Sequence, residues 1–76
     1  MNTSLATLTA KALNAQAEVA YSLAKPHHKG NAHHEAAAVK AAGVRLVEAV
    51  ERGDIIAAGW AMDDAARALT RLGGLA

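Results

Sequence analysis

All four histidines of the chain lie within eight residues, His27, His28, His33 and His34, and Glu35 follows directly. This is the only local concentration of groups that could bind a metal. Zinc takes three or four nitrogen, sulfur or oxygen donors in a tetrahedral arrangement. Neighbouring histidines on a helix point about 100° apart, so at most one of each pair can converge on an ion. That leaves His28, His33 and Glu35 as the candidate ligands of a zinc or nickel site. The spacing fits no established template. There is no HExxH, and Ala37, Ala38 and Val39 stand where a second histidine one turn further along would be needed. The plainer reading is a polar connection between helices, in which Glu35 favours the positive end of a helix dipole and cationic histidine does not. Protonation would also add up to four charges to this short segment, so a response to pH is a separate reading.

Covalent and acid–base chemistry find less support. The chain has no cysteine, no GxSxG turn and no glycine-rich phosphate loop, and no paired carboxylates beside an expected pocket. Ser4 and Ser22 have no basic residue that the pattern brings near. A non-enzymatic protein without a cofactor is therefore expected.

Two breaks divide the sequence into three elements. Pro26 and Gly30, in Lys25-Pro-His-His-Lys-Gly-Asn31, end a first helix near Ala24 and leave Asn31 to cap a second. Gly53-Asp54 closes the second helix and opens the third, and Gly73-Gly74 ends it. The expected helices cover 3–24, 32–52 and 55–72, in one all-α domain of residues 1–76.

Each helix carries an apolar stripe with spacings of three and four. The first reads Leu5, Leu8, Ala12, Ala15 or Gln16, Val19 and Leu23. The second reads Ala36, Val39, Gly43, Leu46 and Val50. The third reads Ile55, Ala58, Met62, Ala65, Leu69 and Leu72. These stripes predict a small antiparallel three-helix bundle, with the second and third helices as a tight hairpin. Gly43 costs about 1 kcal/mol in helix propensity, which close approach of a neighbouring backbone would offset. Gln16 is a polar amide within its stripe, either a buried register-setter or an edge residue that reaches water. Tyr21 and Val44 fall opposite the stripes of their helices.

Trp60 projects about 160° away from Met62, on a side shared with Ile56, Asp64, Arg67 and Arg71. An isolated tryptophan flanked by an isoleucine, an aspartate and arginines has the composition of an interface hot spot. The alternatives are a third helix sandwiched within the monomer and, for the charges, simple pairing at helical spacing worth about 0.2–0.5 kcal/mol.

Composition decides how these elements can be held. Alanine occupies 21 of 76 positions, and Phe and Cys are absent. Alanine favours helices but contributes little area to bury, and a chain this short has a small margin of stability. Dimerisation or a partner is therefore expected. The formal charge of +1 gives no electrostatic reason to bind nucleic acid or membranes. A helix-turn-helix reading would use the third helix as the reader, yet Asp54, Asp63 and Asp64 outnumber Arg67 and Arg71 there. No apolar run reaches the roughly 20 residues of a membrane span. Nothing at the amino terminus resembles a signal peptide, and a cysteine-free chain suits a reducing compartment, so a cytoplasmic location is expected. The function expected is a small interaction module that binds a protein partner stoichiometrically through the third helix. Size and missing chemistry suggest, by association alone, an inhibitor of a bacterial defence system carried by a phage or mobile element.

Overall fold

The computed structural model describes residues 4–76, which form three α-helices and a short 3-10 turn, with no strand among the described residues. Helix α1 spans Leu5–Leu23, α2 Lys29–Glu51 and α3 Ile55–Gly73, and the 3-10 turn covers Pro26–His28. The ends follow local chemistry. The Ser4 hydroxyl accepts from the Thr7 amide at the start of α1, and the Asp54 carboxylate accepts from the Ala57 amide at the start of α3. Gly53 adopts φ +74° between α2 and α3, a conformation that L side chains rarely enter.

The second helix begins three residues earlier than its sequence suggests. Pro26 opens the 3-10 turn, and that turn runs directly into α2 at Lys29. Gly30 and Asn31 lie inside the first turn of the helix, so Asn31 does not cap it. His28 occupies the cap position without a side-chain cap bond.

The core is made of small residues. Of thirteen buried apolar side chains, ten are alanines, and only Val39, Leu46 and Leu72 are larger. They fall into two clusters. Ala6, Leu46 and Ala61 form one; Ala17, Ala24, Ala32, Val39, Ala68 and Leu72 form the other. The start of α1 thus shares a cluster with the later half of α2 and the first half of α3. The end of α1 shares one with the start of α2 and the end of α3. The most extensive helix contact is between α2 and α3, and the least extensive among the helices is between α1 and α3.

The expected stripe of α1 is not the buried one. Leu5, Leu8, Ala12, Gln16, Val19 and Leu23 are exposed, while Ala6, Ala10 and Ala17 are buried, with Leu13, Ala20 and Tyr21 partly covered beside them. Ala6, Ala10, Leu13, Ala17, Ala20 and Ala24 repeat with the same spacings of three and four, so periodicity alone does not choose between the two sides. Close approach does. A Cβ placed on Gly43 would sit 3.2 Å from the Ala10 Cβ, and a leucine at position 10 would not fit there. The expectation that Gly43 lets a neighbour come close is met.

In α3 the buried line is Ala61, Ala65, Ala68 and Leu72. Ala58 and Leu69 are half-buried, and Ile55 and Met62 are exposed, contrary to the expected stripe. In α2, Val39, Gly43 and Leu46 are buried as expected, but Val50 is exposed. The Cα atoms extend over 41 × 26 × 13 Å with a radius of gyration of 12.8 Å. An average domain of this length has about 11.4 Å; the difference reflects the flattened shape.

Candidate functional site

Helix α3 turns Ala61, Ala65 and Ala68 inward, which leaves its opposite side in solvent. Trp60 is 66% exposed and Ile56 68% exposed. The third helix is therefore not sandwiched within the monomer at this position. Trp60 forms one wall of an open cleft of about 340 Å³ between α2 and α3. Arg45, Glu48 and Arg52 of α2 line it, together with Ala57, Ala61 and Asp64 of α3. Those three α2 residues recur at spacings of three and four, which places them on one side of α2; the sequence reading missed them.

The charged residues on this side are paired. Asp64 accepts from Arg67 one turn along α3, and from Arg45 across the cleft at 3.3 Å. It therefore bridges two guanidinium groups, of which Arg45 lines the same cleft as Trp60, with all three side chains still about half exposed or more. Exposed pairs of this kind contribute little stability, but they fix the charge pattern around the apolar patch. Arg71 lies eleven residues beyond Trp60, about 16 Å along the helix. Its Nε donates to the Glu35 carboxylate at 2.6 Å, tying the end of α3 to the start of α2.

The histidine segment is engaged within the fold. Glu35 is committed to Arg71. The His33 ring meets the Tyr21 ring edge-on at a centroid distance of 6.4 Å, and the His28 Nδ1 lies 3.3 Å from the Leu75 carbonyl oxygen. His28, His33 and Glu35 are not brought together, and no group of three His, Asp or Glu side chains among the described residues is placed to hold a metal ion. Lys29 does more than any histidine here. Its ammonium donates to the Tyr21 and Ser22 carbonyl oxygens at the end of α1, and it lies 4.4 Å from the centroid of the Tyr21 ring. A cation at that end of a helix satisfies orphan carbonyls and complements the dipole. The chain terminus closes the same corner, since the Lys25 amide donates to the Leu75 carbonyl at 3.0 Å.

A second open groove, of about 730 Å³, runs between α1 and α2. It is lined by Tyr21, Asn14 and Glu18 on one side and by His33, Ala36 and Lys40 on the other. No helix among the described residues is long and apolar enough to cross a membrane. No protein-family model, curated protein or solved structure matches the chain.

Proposed function

We propose that this chain is a non-enzymatic interaction module that binds a protein partner stoichiometrically through the Trp60 side of α3. The observation that carries the reading is a single tryptophan left two-thirds exposed by a chain with almost no aromatic residues to spare. Indole buries large area at low entropic cost, and tryptophan and arginine dominate interface hot spots. In this proposal Trp60 and Ile56 fill apolar pockets of the partner. Asp64 and Arg67 form the polar rim beside them, and Arg71 extends the rim toward the far end of the helix. Covering a partner's surface is how a module of this size can act without chemistry, which is consistent with an inhibitor working in the cytoplasm.

The scaffold under this surface is an antiparallel three-helix bundle, with α2 and α3 as its hairpin. The grouping of the start of α1 with the later half of α2, and of its end with the start of α2, supports that topology. The bundle also dimerises, because ten alanines leave its own core short of apolar area.

Capture on the immobilised chain from host lysate, with and without nuclease, tests the function. The expected result is a stoichiometric protein complex that survives nuclease treatment. Retention lost on nuclease treatment, with affinity falling steeply as salt rises, would instead show a nucleic-acid binder. No retained macromolecule at all would also overturn the proposal.

A further inference from the structure

The outer side of α1 presents Leu5, Leu8, Ala12, Ala15, Val19 and Leu23 to solvent, with Leu5 79% and Val19 62% exposed. In order, the stripe holds two large residues, two small ones and two large ones. It therefore reads nearly the same in both directions. Turned end for end and laid on itself, it sets Leu5 against Leu23, Leu8 against Val19 and Ala12 against Ala15. All three pairings share a centre at Leu13–Asn14, to within half a residue. Self-complementarity about one point is what a twofold, isologous interface requires.

Charge supplies a second argument, separate from the apolar pattern. Lys11 and Glu18 are both exposed, stand seven residues apart along one edge of the stripe, and are related by nearly the same centre. Neither appears in an ion pair within the chain among the described residues. In an antiparallel helix pair each Lys11 meets Glu18 of the other copy, twice over. A parallel pair would set Lys11 beside Gln16, where it finds no opposite charge.

We propose that a second copy of this chain packs its α1 antiparallel against this α1, about a twofold axis at Leu13–Asn14. The contact goes beyond the Trp60 reading. It uses another helix, and Trp60 stays free beside the cleft between α2 and α3. The paired stripe runs about 27 Å, from Leu5 to Leu23. The contact is a single helix pair without an aromatic anchor, and the dimer is expected at micromolar concentration.

Sedimentation equilibrium from micromolar to millimolar concentration tests this. The expected mass at the upper end is twice the 7.8 kDa of one chain. Leu8→Glu yields a monomer, and Trp60→Ala leaves the dimer unchanged. Because Lys11 and Glu18 are exposed, their exchange leaves the fold intact and provides a test should Leu8→Glu fail to fold. Lys11→Glu and Glu18→Lys each weaken self-association by roughly fivefold or more, since each sets like charges opposite one another. An equimolar mixture of the two variants regains it, because the mixed pair places Glu opposite Lys at both contacts. A 7.8 kDa species throughout, a dimer indifferent to Leu8→Glu, or a mixture no stronger than its components would overturn the proposal.

Discussion

Gly43 and Gly59 are both helical glycines with opposite surroundings, and substitution separates them. A Cβ on Gly59 meets nothing within 4 Å, whereas one on Gly43 meets Ala10 at 3.2 Å. Gly59→Ala is expected to stabilise the chain by about 0.5–1 kcal/mol, through helix propensity and a less flexible unfolded chain. Gly43→Leu is expected to destabilise by about 1–3 kcal/mol, because the extra side chain must push α1 off α2. Urea unfolding at unchanged m reads both. The close approach at Gly43 is legible in the sequence, since a glycine inside an apolar stripe needs a packing reason. Ala10 as its neighbour is not, because the larger stripe of α1 draws attention to the other side of the helix. The same blindness hid Arg45, Glu48 and Arg52 beside Trp60: which side of α2 meets α3 depends on the packing of alanines, and periodicity does not distinguish alanines in the core from alanines outside it.

The connection from α1 to α2 depends on one lysine. The Lys29 ammonium caps α1 and covers the Tyr21 ring. Lys29→Met should therefore lower stability by about 1 kcal/mol, read as a shift of the urea midpoint. Arg71→Ala leaves the Glu35 carboxylate, whose side chain is only 15% exposed, without its partner and should cost about 1–3 kcal/mol. The histidines give a different test. Zinc bound by the native state at 100-fold excess over its Kd would stabilise by about 2.7 kcal/mol. With His28, His33 and Glu35 each engaged elsewhere, the melting temperature is expected to stay unchanged on zinc addition. A large shift that disappears in a His28→Ala, His33→Ala variant would show that the segment rearranges around metal. Helix number, the break after Ala24 and the Gly53-Asp54 turn were all readable from proline, glycine and capping chemistry. The start of α2 was not, since the 3-10 turn feeds the helix without the Asn31 cap that the sequence offers.

At the scale of the whole molecule, the alanine core sets the terms. Helices that approach through alanine and glycine form a flattened body and turn Leu5, Leu8, Val19, Leu23, Ile56 and Trp60 outward. Composition announced this shortage of buried area, but only the packing shows where the unburied apolar side chains stand. In the proposed assembly the outer side of α1 belongs to a second copy and the Trp60 side of α3 to a different protein. The affinity of the wild-type chain and of Trp60→Ala for the captured partner tests that assignment most directly, with circular dichroism of both chains recorded alongside. The predicted result is an intact helical spectrum and binding weakened by at least about 2 kcal/mol, roughly thirtyfold. Equal affinity of the two chains would contradict the account. So would unfolding of Trp60→Ala, since a loss of roughly 3–5 kcal/mol is the mark of a core tryptophan.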